Sequence, residues 1–307
     1  MSGTAGVLVV DKGSGATSFD AVAIVRRQLG IRRVGHAGTL DPAATGVLPV
    51  LLGEATKLMP YLMDQDKEYL ATVRFGVTTD TRDVSGRVLS ETQVDRLERS
   101  ELEDACRPFV GRIKQVPPMY SAVHHEGRRL YELARQGIEV DREPREVVVR
   151  SITVEDVTPP RATLRVVCGK GTYVRVLAAD IGAALGYGGA VERLVRRRVG
   201  PFGLADAVAW ADLTGGAAHQ LWARVRPPEA ALADWPAVTL DGPAAAAFTH
   251  GQAVDVVPLA AESEQYVRVH DGAGALIGVG ALAAAGRQVK PVRILHADRP
   301  GTRVLPA

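Results

Sequence analysis

Apolar residues run without a break through GVLVVD at 6–11 and then change spacing. The run predicts a short buried strand, and TSFDAVAIVRRQLG behind it carries its apolar residues at helical intervals. Thr17 or Ser18 caps that helix and Gly30 ends it. A second apolar run, VLPVLLG, predicts a strand, as does KEYLATVRFG at 67–76, and a polar turn covers 78–86. A charged helical segment is expected over 91–106. The stretch QVPPMYS at 115–121 cannot be regular, because paired prolines remove donors and fix φ. EGRRLYELARQ at 126–136 reads as a basic helix, alternating runs at 145–157 and 161–168 as strands, and TYVRVLAADIGAALG as a helix ending at Gly186. Near 227–236 the chain turns Pro/Ala-rich, which marks a junction. Beyond it, short strand-like pieces between Gly turns have the pattern of a small β-barrel. The expectation is an α+β chain with one domain over 1–232 and a smaller one over 233–307.

Composition adds exclusions. The 307 residues are 46% hydrophobic and 23% charged, ordinary values for a globular protein. No basic segment with an apolar core opens the chain and no apolar run reaches spanning length, so neither secretion nor membrane insertion is expected. Cys106 and Cys168 stand in unrelated contexts, without zinc-ligand spacing, which suits a reduced cytoplasmic protein with no structural metal. The net charge of +2 says little. The arginines cluster, however, at 26–27, 32–33, 128–129 and 193–198, and guanidinium forks fit phosphate oxygens. A solvated helix face explains such clusters equally well until motifs are considered.

The segment VGHAGTLDPAATGVLPVLLG at 34–53 concentrates the candidate chemistry. Asp41 before Pro42 is an ordinary helix start. Only Ala43, Ala44 and Thr45 separate Pro42 from Gly46, however, and β-type residues follow at once, so no helix can be established. Asp41 is therefore expected in a tight loop at the mouth of a buried strand, where functional side chains are common. A lone carboxylate there could be a nucleophile, a general base or a metal ligand. No second carboxylate lies nearby in sequence to complete a metal site or a glycosidase pair. His36 is either a satisfied loop histidine or a participant.

GHAGTLDPAATGVLPV closely resembles the catalytic segment of the TruB family of tRNA pseudouridine synthases. LVVDKGSGATSFDAVAIVRR, KEYLATVRFGVTTDTRDVSG, QVPPMYSAVHHEGRRLYELARQG and VVCGKGTYVRVLAADIGAALG resemble the same family in the same order. Together they cover most of residues 6–200. The C-terminal segment resembles the family's PUA-like appendage weakly. The resemblance implies a pseudouridine synthase fold, a mixed and largely antiparallel sheet with flanking helices, and a PUA-like domain over 233–307. It implies isomerisation of the TΨC-loop uridine of tRNA, position 55: the bond to N1 breaks, the uracil turns, and it rejoins through C5. No cofactor or metal is implied. The partner is the T-arm of tRNA, and the chain is expected to act alone as a monomer.

Residue roles follow from the matching motifs. Asp41 matches the essential aspartate, which attacks ribose C1′ or base C6. Tyr69 matches the tyrosine that stacks on the target base. Tyr173 matches an active-site tyrosine placed for proton removal at C5. Arg175 matches an arginine paired with an aspartate, here Asp83, with Asp80 as its rival. His36 matches a histidine that keeps loop nucleotides splayed, and Lys12 and Lys57 match lysines near the RNA or the site. Residues 115–145, with Arg128, Arg129 and Arg135, resemble the segment that closes over the T-loop. The 193–198 cluster is expected to grip stem phosphates. GKGT at 169–172 is not a phosphate loop, since the upstream glycine and the Ser/Thr after the lysine are missing. The chain departs from the family at Gly13, where relatives carry proline after VDK, which is expected to loosen a loop. The alternatives are an RNA-binding or tRNA-folding protein without catalysis, an enzyme acting on another RNA, and an aspartate hydrolase of small substrates.

Overall fold

The computed structural model describes residues 5–121, 123–258 and 265–296. Strand β1 (Gly6–Lys12) is the predicted apolar run, with Val7 to Val10 no more than 1% exposed. Helix α1 (Ser18–Leu29) starts at a capping box between Thr17 and Asp20 and stops at Gly30 with φ 64°, the left-handed conformation that glycine adopts freely. Then come β2 (Val34–His36), β3 (Thr45–Leu52), α2 (Met59–Asp64), β4 (Lys67–Phe75) and the hairpin β5 (Val77–Thr79)–β6 (Val88–Glu91). Helix α3 (Arg99–Cys106) and β7 (Gly111–Gln115) lead to a small hairpin, β8 (His124–His125)–β9 (Arg128–Arg129), and a short helix α4 (Leu130–Arg135). Strands β10 (Arg145–Thr158) and β11 (Arg161–Cys168), helix α5 (Val174–Ala184), strand β12 (Gly189–Val199) and helix α6 (Trp210–Gly215) follow.

The main sheet runs β1-β3-β12-β4-β11-β10-β7, with β2 also on β3. Its pairings are antiparallel except β3 against β12, where Val195 faces Thr45 and Arg196 faces Gly46. Further along, β12 faces β4, with Arg196 opposite Tyr69. The sheet thus brings the strand after the Asp41 loop, the tyrosine strand and an arginine of β12 side by side. It is the mixed, largely antiparallel sheet expected of the fold.

Two expected helices are shortened. Over 126–136, Glu126 and Gly127 both take positive φ, 50° and 81°, and form the two-residue turn of the β8–β9 hairpin, leaving only α4 helical. Over 91–106 only Arg99–Cys106 is helical, because Glu98 and Glu101 build a capping box that fixes the start there. The C-terminal part is a five-stranded sheet ordered Ala237–Thr239, Tyr266–His270, Leu276–Ala283, Gln288–Ile294, Val254–Asp255, with helix Gly242–Thr249 packed on it. Among the described residues it curls into a half-barrel, consistent with the expected PUA-like domain. Val279 and Leu295 pack into one buried cluster with Val7, Leu58, Leu62 and Val199 of the larger part.

Candidate active site

Asp41 stands in the β2–β3 connection, where Ala44 N–H donates to the Asp41 carbonyl at 3.1 Å and the chain turns back without helix. The aspartate is therefore no helix cap. Gly46 ends the loop at φ 104°, and a Cβ there would lie 2.2 Å from the Arg196 carbonyl oxygen. Only glycine lets β3 begin this close to β12.

Lys12 closes the loop from below. Its ammonium is fully buried and donates to the carbonyls of Gly13, Ala16 and Pro42 at 2.9, 2.7 and 3.1 Å. Burial pushes this lysine down to about 8, against an upward pull from Asp41. With three carbonyls on its three protons, Lys12 lies beside the site and ties the 13–16 loop to the residue after Asp41. Gly13 does not loosen that loop. A Cβ at position 13 would lie 2.9 Å from the Trp210 ring, so the indole of α6 fills the space the glycine leaves.

Arg175, in the first turn of α5, meets Asp41 twice, Nε to Oδ2 at 2.8 Å and Nη2 to Oδ1 at 3.2 Å. It also donates to the Thr81 and Tyr120 carbonyls, each at 2.8 Å. Asp83, rather than Asp80, lies behind it with Oδ2 3.7 Å from Nη1. Asp83 is itself held by Thr81 Oγ1 and Ser85 N–H at 3.0 Å each, and its loop is stitched to β12 by the Val84 N–H bond to the Val191 carbonyl. The arginine is 6% exposed and the Asp41 side chain 41% exposed, so a rigid cation presents a carboxylate that still faces solvent.

Asp41, Tyr69, Tyr173 and Arg175 line one cleft of about 380 Å³, within the size range of small-ligand sites. Gln115 fixes Tyr173 by bonding its N–H at 2.9 Å and its carbonyl at 3.3 Å. Burial raises the phenols of both Tyr69 and Tyr173, so both stay protonated near neutrality. His36 lies outside the cleft lining, with its ring against Phe19 at 5.6 Å, and burial followed by the nearby Arg196 charge keeps it neutral. Arg128 and Arg129 are on the β9 strand of the hairpin, Arg129 placed over the Phe19 and Tyr131 rings at 5.5 and 6.0 Å. Lys57 is remote. Its ammonium bonds Glu54 at 2.5 Å and the Ile294 carbonyl at 2.8 Å, joining the two parts of the chain.

Two cleft residues escaped the sequence reading. Lys67 is buried with its ammonium on the Met63 and Gln65 carbonyls, lowered by burial to about 8. Arg196, expected on the surface with its neighbours, is 1% exposed and lines the cleft. The β-bulges between Val191 and Arg193 and between Arg196 and Arg198 break the alternation that would have shown it pointing inward. Among the described residues no group of three or more His, Cys, Asp or Glu is placed to hold a metal ion.

Residues 26–174 match the description "TruB family pseudouridylate synthase (N terminal domain)". The chain belongs to the TruB family. Residues 175–233 match its "tRNA pseudouridylate synthase B C-terminal domain" and 236–295 its "Pseudouridine synthase II TruB, C-terminal". Among TruB relatives, a tRNA pseudouridine synthase B of Symbiobacterium thermophilum is 50% identical over 251 residues, 81% of this chain and 82% of the relative. One of Dechloromonas aromatica is 46% identical over 276 residues, 90% of each chain. A solved Cbf5-Nop10-Gar1 complex is similar in structure, with TM-score 0.74 and 26% identity over 95% of this chain and 85% of that one.

Proposed function

We propose that this chain isomerises the TΨC-loop uridine of tRNA, position 55, to pseudouridine, acting alone as a cytoplasmic monomer. The observation that carries the reading is the Arg175-held Asp41 carboxylate in a cleft lined by Tyr69 and Tyr173, in a chain of the TruB family. A base in a folded loop must be turned out of its stack, which costs a few kcal/mol. Stacking on Tyr69 offsets that cost by about 1–3 kcal/mol. Asp41 then meets the nucleotide as nucleophile, held in position before the reaction begins. Tyr173 serves the C5 proton, and as a protonated phenol it accepts that proton only while passing its own on. The hairpin with Arg128 and Arg129 closes on the T-arm backbone.

The test is tritium release from C5-labelled uridine in a T-arm transcript, wild type against Asp41→Asn. Release by the wild type and none by the variant supports the reading. Release by the variant, or none by the wild type, sinks it, and the second result leaves a non-catalytic RNA-binding protein.

A further inference from the structure

The cleft floor carries a charge that the reading above does not employ. Arg196 is 1% exposed, yet among the described residues it forms no ion pair, whereas Arg175 is shared between two aspartates. Its hydrogen-bond acceptors are three carbonyls, Val47 through Nε at 2.7 Å, Gly38 through Nη2 at 2.9 Å and Thr39 through Nη1 at 3.4 Å, and the Tyr69 phenol lies against the same guanidinium. Carbonyl dipoles and a neutral phenol orient a guanidinium without cancelling its charge. Register places Arg196 beside Gly46 on one strand and Tyr69 on the other, under both the aspartate loop and the ring expected to stack on the base. Its field reaches across the site, since it helps push Lys12, Lys67 and His36 down. A buried cation held by carbonyls, with no carboxylate at ion-pair distance among the described residues, leaves its charge available to an anion in the cleft.

Pseudouridine formation supplies one. When the C1′–N1 bond breaks, its electron pair stays on the uracil, and the detached ring is an anion delocalised onto its oxygens. When C1′–C5 forms, the ring gives the pair back; C5 then loses a proton and N1 gains one, so the isomerisation balances. Attack at C6 instead also leaves negative charge on the ring, so either route sets an anion before Arg196. We propose that Arg196 is the electrostatic partner of the anionic uracil ring, in addition to clasping the loop on both sides of Asp41. This rests on the function proposed above. A preorganised cation facing charge that develops only during reaction speeds the chemical step and leaves binding unchanged.

The test compares single-turnover conversion of T-arm hairpins carrying uridine or 5-fluorouridine at the target, measured as loss of the starting nucleoside, in wild type, Arg196→Lys and Arg196→Gln. Fluorine stabilises the ring anion and lessens the need for a cation. Arg196→Gln is expected to slow uridine conversion by roughly 100- to 1000-fold, the size seen for a lost oxyanion donor, with hairpin affinity nearly unchanged. The slowing with 5-fluorouridine is expected to be at least about tenfold smaller, with lysine intermediate. Equal slowing of both substrates overturns the proposal and leaves Arg196 a loop brace. A wild type inactive on uridine overturns the functional reading instead. If the variants do not fold, wild type with a hairpin abasic at the target is titrated with free 5-nitrouracil, which ionises near neutrality. Tighter binding of the ionised form, by about tenfold or more, supports the proposal, and no gain on ionisation overturns it.

Discussion

Arg175 and Asp41 meet through two different nitrogens and both carboxylate oxygens, at 2.8 and 3.2 Å, on a guanidinium that also holds Thr81 and Tyr120. A fork of that shape sets the direction of the carboxylate as well as its distance. Arg175→Lys keeps the charge and loses the fork, so kcat is expected to fall at least about 100-fold, as for other misplaced catalytic groups. Asp83→Asn acts one bond further away, and about a tenfold loss is expected. Rate measurements on both variants check the order; an Asp83→Asn loss exceeding that of Arg175→Lys contradicts it.

Gly46→Ala tests the close approach of β3 to β12. Its Cβ would meet backbone 2.2 Å away at φ 104°, so a loss of several kcal/mol of stability and of activity is expected. Gly15→Ala is the control. Its φ is 83° with nothing within 4 Å of the added atom, and only about 1 kcal/mol is expected. Denaturant melts of the two variants separate crowding from backbone preference.

Lys12 predicts opposite trends with pH. Its folded value, about 8, lies below its ordinary 10.5, so the unfolded chain binds more protons between those values. Stability contributed by this group therefore rises with pH from about 8 to 10.5. Activity is expected to fall over the same interval, because a neutral amine has two protons for three carbonyls and the tie to Pro42 weakens. Arg at position 12 stays charged, so Lys12→Arg shifts the alkaline limb upward if the variant accommodates the larger group. Lys67→Arg is the companion measurement, since Lys67 titrates in the same range. A limb that moves only with Lys67→Arg assigns the loss there.

Salt dependence sorts the basic residues. Arg128→Ala and Arg129→Ala are each expected to weaken T-arm binding and lower the salt slope by about one unit per lost phosphate contact. Lys57→Ala is expected to leave the slope unchanged, because that ammonium is spent on Glu54 and Ile294. A changed slope for Lys57→Ala would return it to the RNA interface.

The aspartate loop was legible because its evidence is local: Gly46 follows Pro42 too soon for a helix, and the turn at 41–44 is what the chain forms. Strands β1, β3, β4, β10 and β11 were legible for the same reason, each burying a continuous or alternating run, whereas β2, β7 and β12 were not foreseen. The hairpin at 124–129 was not, because its signal is two residues of positive φ at Glu126 and Gly127, and glutamate gives no warning of that conformation. The place of Arg196 was illegible for another reason. Two bulges shift the side-chain parity of β12, so only the register against β3 and β4 shows which arginine of the 193–198 cluster turns inward. Trp210 and Gly13, nearly two hundred positions apart, fit one another in space, which neither neighbourhood announces.

The buried cluster that joins Val279 and Leu295 to Val7, Leu58 and Leu62 makes the appended sheet a retaining wall for the larger half. Val7 lies on the same strand as Lys12, and Leu58 follows the β3 strand behind Asp41, so this wall and the aspartate loop share one scaffold. Removing residues 233–307 strips a side from the hydrophobic interior before it removes any contact with RNA. Loss of activity on shortening is therefore expected to come with loss of stability, and point changes on the outer face of the intact sheet are the way to ask what that sheet touches.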